Sequence, residues 1–175
     1  MRSSCRAGAL LLVLATTAVV SAKGTTTRIV ITGSELLGPI ELRDRDVVAA
    51  FNVWSGPGTS MNGVEGMDGF IVDWRSGAVE PPVTALRQFE ISFYADRNSS
   101  SSNRPVYVVS YGLNPLSGEG YVYLPGVADP RHSANVRSIF RGSKYEGHWF
   151  RASAAWQNLM RRYVIGSPQL SCPAH

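Results

Sequence analysis

One short stretch of the chain, residues 145–151, holds its densest group of side chains that could do chemistry. Glu146 and His148 stand two residues apart and could serve as an acid/base pair, while Arg151 could steady an anionic group. Asp73 is a further carboxylate that could join them. These residues define one hypothesis, a hydrolase-like enzyme. The competing interpretation is structural, with Glu146 at the start of a helix and His148 exposed to solvent.

Established catalytic motifs are missing from the sequence. No Gly-x-Ser-x-Gly pattern singles out a nucleophilic serine. His132 and His148 are sixteen residues apart, without the His-Glu-x-x-His or paired-cysteine spacing of a zinc site. The glycine-rich stretch 54–60 lacks the Gly-Lys-Ser/Thr ending of a phosphate-binding loop. The sequence therefore predicts no metal site and no cofactor.

Aromatic residues supply a second kind of candidate site, one that binds without catalysis. Several tyrosines fall on segments that read as strands of one sheet. If they share its open face, they form a flat platform that stacks on sugars or on partner proteins. The candidate ligand-binding residues are Trp54, Tyr94, Tyr111, Tyr121 and Tyr123. Tyrosine also suits a half-wet sheet face that has no ligand at all, so both interpretations stay open.

The strands that would hold this platform lie between Arg87 and Leu124. Apolar and polar residues alternate with a period of two over 89–94, and residues 106–111 and 121–124 are rich in β-branched and aromatic residues. Turn-forming loops join these runs, which predicts an antiparallel meander. Residues 147–164 place apolar residues three or four apart, as in an amphipathic helix. The predicted fold class is therefore α+β, a mostly antiparallel sheet with a central meander, covered by a C-terminal amphipathic helix.

The N-terminal half predicts shorter elements. Strands are expected over 25–32 and 39–42, paired as a hairpin. Asp44 is expected to cap a helix over 46–54. A long glycine-rich loop follows over 55–69, and residues 70–74 read as a buried strand.

The first residues match a secretory signal. Arg2 and Arg6 precede a 14-residue apolar run, and Val20-Ser21-Ala22 fits a cleavage site. A membrane span needs about 20 apolar residues, so the run is short for an anchor. The predicted organisation is a signal peptide over 1–22, a single α+β domain over 23–165 and a flexible C-terminal tail over 166–175.

Charge and cysteine content limit the partners. The full chain carries a formal net charge of +4, and loss of Arg2 and Arg6 would leave 15 basic against 13 acidic residues. Such a balance lacks the basic footprint of a nucleic-acid-binding protein. Cys172 would be the one remaining cysteine, so no internal disulfide is expected. We expect a secreted or periplasmic protein with no membrane span after signal cleavage, and a partner that is a ligand or protein outside the cytoplasm.

Four segments, 51–58, 69–74, 120–126 and 146–152, resemble a group of small exported bacterial proteins with no assigned function. The resemblance spans most of the chain after the signal. It implies a bacterial source and transfers no catalytic residue.

Three functional hypotheses follow from the sequence. The leading one is a non-enzymatic exported domain that binds a glycan, a peptide or an envelope partner. The second is the hydrolase-like enzyme that uses Glu146 and His148. The third is a structural or assembly factor.

Overall fold

The computed structural model describes residues 25–59, 66–80, 84–96 and 103–165. The predicted signal peptide, the predicted tail and Cys172 lie outside these residues. The described part forms seven strands, β1 (Thr26–Thr32), β2 (Ile40–Leu42), β3 (Ala78–Val79), β4 (Arg87–Ala95), β5 (Tyr107–Leu113), β6 (Gly120–Tyr123) and β7 (Trp149–Arg151). It also forms three short α-helices, α1 (Arg45–Ala50), α2 (Pro130–Ala134) and α3 (Ala154–Met160).

All seven strands belong to one antiparallel sheet in the order β2-β1-β4-β5-β6-β7-β3. The protein is thus a mixed helix and sheet fold, as the sequence predicts. Strands β4, β5 and β6 pair consecutively and form the expected central meander. Both edge strands, β2 and β3, have only two or three residues, which leaves little free backbone for another chain to pair with.

Strand alternation gives the sheet two different faces. One face is the core, where side chains from β1, β4, β5 and β6 pack with those of the helices and loops. Its central members are Ile29, Ile31, Phe89, Ile91, Phe93, Tyr107, Val109, Tyr111 and Val122. We call the opposite side, where Glu90 and Gln88 are exposed, the open face.

The N-terminal hairpin and its helix form largely as predicted. Ile29 to Ile31 pair with Leu42 to Ile40. Asp44 caps α1, and its side chain accepts hydrogen bonds from the backbone N–H groups of Asp46 and Val47. The helix ends earlier than expected, at Ala50, and Val53 and Trp54 are buried outside it.

The C-terminal region differs from the predicted helix over 147–164. Residues 149–151 form strand β7, which pairs with β6 and so places Trp149 and Arg151 in the sheet. The helix begins only at Ala154, after Ser153 accepts a hydrogen bond from Trp156 N, and it continues as a π-helical turn over Arg161–Ile165. The helical spacing was misleading because Trp149 of the strand and Ala152 just after it also matched it.

Two other segments complete the core side. Most of residues 70–74 are buried, as expected, but they do not form a strand. Val72 makes only an isolated β-bridge with Ala152. The described parts of the predicted glycine-rich loop, 55–59 and 66–69, contain neither helix nor strand. Across the described ranges, every helix is too short or too polar to cross a membrane.

Candidate binding site on the open sheet face

A straight row of side chains crosses the open face. The register pairs Thr32 with Glu90, Glu90 with Ser110, Ser110 with Tyr123, and Tyr123 with Trp149. Paired residues in a sheet point to the same side, so these five side chains stand next to one another on five neighbouring strands. We call them the cross-strand row. The row has a polar end on β1 and β4 and an aromatic end on β6 and β7.

The aromatic end consists of Tyr123 and Trp149. Their ring centroids are 5.3 Å apart, with the ring planes at 42°. Both side chains are partly exposed, whereas Trp54, Trp74 and Trp156 are buried. A pair of large rings at the surface of a sheet offers apolar area that is not used by the core.

Arg131 stands over the middle of the row and is held rigidly. Its Nε and Nη2 atoms donate to the two carboxylate oxygens of Asp129, at 2.9 and 2.5 Å. Its Nη1 donates to the hydroxyl of Ser110. The guanidinium carbon lies 5.9 Å from the ring centre of Tyr123. The hydrogen bonds from Arg131 lower the pKa of Asp129, so this bidentate pair is charged at neutral pH.

Helix α2 brings Arg131 to this position because it is fixed to the sheet by Asn135. The side-chain oxygen of Asn135 accepts from Val108 N at 2.7 Å, and its amide nitrogen donates to Val108 O at 3.3 Å. The amide therefore pairs with the β5 backbone two residues from Ser110, where the pairing of β5 with β6 ends. At the other end of α2, Asp129 caps the helix by accepting from Arg131 N.

A second ion pair borders the aromatic end. Glu119 accepts from the hydroxyl of Tyr121 at 2.9 Å and from Arg151 Nη1 at 2.8 Å. These two hydrogen bonds lower the pKa of Glu119, and burial together with Glu119 raises that of Tyr121. Tyr121 is almost fully buried, and Leu86 occupies the space beside Gly112, its partner on β5. Tyr121 lies beside the ring pair on the same face and offers little surface of its own.

The structure separates the five predicted platform residues. Tyr111 faces the core against Trp156, and Trp54 is buried at the start of the glycine-rich stretch. Tyr94 is on the open face but lies four residues along β4 from Glu90 of the cross-strand row. The guanidinium carbon of Arg28 is 3.8 Å from the centre of its ring. Only Tyr121 and Tyr123 are neighbours. Trp149, which the sequence analysis placed in a helix, is instead the aromatic residue whose ring pairs with that of Tyr123.

The predicted acid/base residues do not meet in one place. The Glu146 carboxylate lies 3.4 Å from His132 and accepts from Arg141 N at 3.0 Å, while His148 is exposed. Arg151 is engaged by Glu119 on the open face.

Asp73 is a backbone neighbour of Arg151, since Asp73 N donates to Arg151 O at 2.9 Å. Its carboxylate caps the 3₁₀ turn Trp74–Ser76 by accepting from Arg75 N and the Ser76 hydroxyl. The geometry of Asp73, like that of Glu146, fits the structural interpretation.

Sequence reasoning missed a buried cation near Glu146. Arg141 is 4% exposed and donates from Nη2 to Val53 O at 2.9 Å and from Nη1 to Pro57 O at 3.0 Å. Its guanidinium also lies 4.6 Å from the ring centre of Phe70. Burial lowers the pKa of Arg141, although a guanidinium stays charged in proteins. An isolated arginine in a loop gives no sequence signal for this role.

Comparison of the chain with protein-family models, curated proteins and solved structures found no match. Within the described ranges, no three His, Cys, Asp or Glu side chains are grouped so that they could hold a metal ion.

Proposed function

We propose that this protein is a non-enzymatic, exported glycan-binding domain whose ligand stacks on Tyr123 and Trp149. The observation that supports this most strongly is the partly exposed ring pair on the face of the sheet that also carries exposed Glu90 and Gln88. Rings that served only the core would face the other side of the sheet, as Tyr107 and Tyr111 do. The pair therefore has surface left for a partner.

The groups around the rings favour a sugar over an apolar peptide. Arg131 and Arg151 are each fixed by a carboxylate, so hydrogen-bonding groups of both signs border the rings in set positions. Sugars present C–H faces for stacking together with hydroxyl groups that need such donors and acceptors. Side chains that are already held in place lose little conformational freedom when a ligand binds.

The same proposal includes where the domain is located and which helix covers the core side of its sheet. Export to the periplasm or the medium is inferred from the signal-like N-terminus, and it would bring the open face into contact with envelope or extracellular glycans. We further propose that the C-terminal amphipathic helix closes the core side and leaves the open face free. The ring of Trp156 supports this, since it lies 6.5 Å from Tyr111 of the meander and 4.9 Å from Phe51.

The proposal is tested by binding of the purified domain to insoluble peptidoglycan, chitin and cellulose. We expect the unaltered protein to co-sediment with at least one of these glycans. Trp149→Ala and Tyr123→Ala should each weaken that binding about fivefold or more, because each removes a stacking surface that contributes about 1–2 kcal/mol.

Tyr94→Ala is the matched control. It removes a partly exposed tyrosine from the same face but at a distance from the ring pair, and it should leave binding within about twofold. Circular dichroism of each variant checks that the fold is kept. Failure of the unaltered protein to bind any of the three glycans, or equal losses in the Tyr94 and Tyr123 variants, would contradict the proposal.

A further inference from the structure

We infer that the ligand is an extended N-acetylated glycan that lies across the strands, from Trp149 at the aromatic end to Thr32 at the polar end of the cross-strand row. This inference rests on the proposed function and specifies its ligand. Its three supports are the length of the row, a cavity at the polar end, and the hydrogen-bonding groups that line this cavity.

The row is longer than one sugar. Neighbouring strands lie about 4.8 Å apart, so the four steps from β7 to β1 span about 19 Å. The ring pair occupies only the first of these steps. A monosaccharide stacked there would leave Glu90 and Thr32 without contact. A chain of several sugars would reach them across Arg131, which covers the buried Ser110.

A cavity of about 270 Å³ continues the site at the polar end of the row. Thr32, Glu90 and Ser110 line it, together with Gln88 and Arg131. Arg131 also lies beside the Tyr123 ring and therefore borders both the aromatic end and the cavity. Arg131 thus connects the two parts of the site, which we call the groove.

The lining of the cavity matches an acetamido group. Glu90 is exposed, and among the described residues its carboxylate accepts no side-chain hydrogen bond. Arg131 uses three of its five side-chain N–H groups on Asp129 and Ser110, which leaves two as donors. An acetamido group offers an N–H for the carboxylate and a carbonyl oxygen for the guanidinium. A hydroxyl in its place offers its donor and its acceptor at a single atom, whereas the acetamido group separates the two and can meet the carboxylate and the guanidinium at once.

Isothermal titration calorimetry with soluble oligosaccharides tests the inference. The probes are β-1,4-linked N-acetylglucosamine oligomers of one to six units and glucose oligomers of the same lengths and linkage. Affinity for the N-acetylated series should rise about tenfold or more between two and four units and then level off, as added sugars reach the polar end. The glucose series should bind at least fivefold more weakly at four units.

Variants separate the two ends of the groove. Glu90→Ala should weaken binding of the four-unit N-acetylated oligomer about tenfold, as expected for loss of one hydrogen bond to a charged group, and should leave the two-unit oligomer within about twofold. Trp149→Ala should weaken both. Asp96→Ala removes another exposed carboxylate, just beyond the far end of β4, and should change neither.

The outcomes distinguish this inference from the proposed glycan-binding function on which it rests. Binding that depends on Trp149 but not on oligomer length, on the acetamido group or on Glu90 would overturn the inference and leave glycan binding standing. Absence of binding to every oligomer in both series would count against both.

Discussion

Arg141 is the residue that holds the glycine-rich stretch against the core. Its two hydrogen bonds satisfy the carbonyl groups of Val53 and Pro57, and its backbone N–H is bound by Glu146. The charge sits among aromatic rings, and burial raises the pKa of the neighbouring Tyr107 to about 12 despite the opposing effect of Arg141. A buried charge with this many partners is costly to disturb.

We therefore expect Arg141→Met to lower the free energy of unfolding by about 2–4 kcal/mol, since it leaves two buried carbonyl groups without donors. Arg141→Lys should also be destabilising, because an ammonium group lacks the planar fork that reaches both carbonyls. Urea unfolding measures the change. Arg137→Lys, at an exposed position on the neighbouring 3₁₀ turn, should stay within about 0.5 kcal/mol of the unaltered protein. Equal stability of the Arg141 and Arg137 variants would refute this role.

At the scale of single residues, the sequence could supply candidate functional residues but not the side chains that they contact in the folded protein. Glu146 and His148 are close in sequence, yet the carboxylate faces His132, which belongs to α2. Tyr121 and Tyr123 could be placed on one strand face by alternation alone. Their pairing with Trp149 depends on β7, whose position follows from tertiary contacts rather than from local pattern.

Strand β6 is the element that connects the site to the core. Gly120, its first residue, lies against the ring of Tyr111, and a Cβ atom there would stand 2.3 Å from the tyrosine hydroxyl and 2.8 Å from ring carbons. Its N–H donates to the side-chain oxygen of Gln157 in α3 at 3.3 Å. The close approach brings β6, β5 and α3 together at one point.

Gly120→Ala should accordingly lower the unfolding free energy by about 1–3 kcal/mol through overpacking of a rigid core ring. Gly38→Ala is a suitable comparison, because a Cβ atom at Gly38 meets nothing within 4 Å. We expect it to be neutral or slightly stabilising when both variants are measured by urea unfolding. A Gly120 variant as stable as the Gly38 variant would show that β6 can shift to make room.

At the scale of elements, prediction succeeded where the pattern was long. The period-two alternation of 89–94 locates β4, and the turn-rich connections on either side of β5 locate the meander. It failed where elements are very short. Strands β3 and β7 have two and three residues, too few for any period to be read. They form because β6 offers a partner to β7, and β7 in turn offers one to β3.

The whole molecule divides its aromatic residues between two faces with different uses. Three of its four tryptophans are at most 5% exposed and belong to the core, and Trp149 alone lies partly exposed on the open face. The sequence anticipated a sheet with one covered and one solvated face. It could not choose which aromatic residues face outward, because that depends on the register between strands.

This division gives the most direct test of glycan binding at the ring pair. Acrylamide quenching of tryptophan fluorescence should detect one accessible tryptophan in the unaltered protein, and Trp149→Phe should remove it. Addition of the four-unit N-acetylglucosamine oligomer at saturation should shield Trp149 and reduce the quenching markedly. Saturable binding of the oligomer with no change in the quenching of Trp149 would contradict the account.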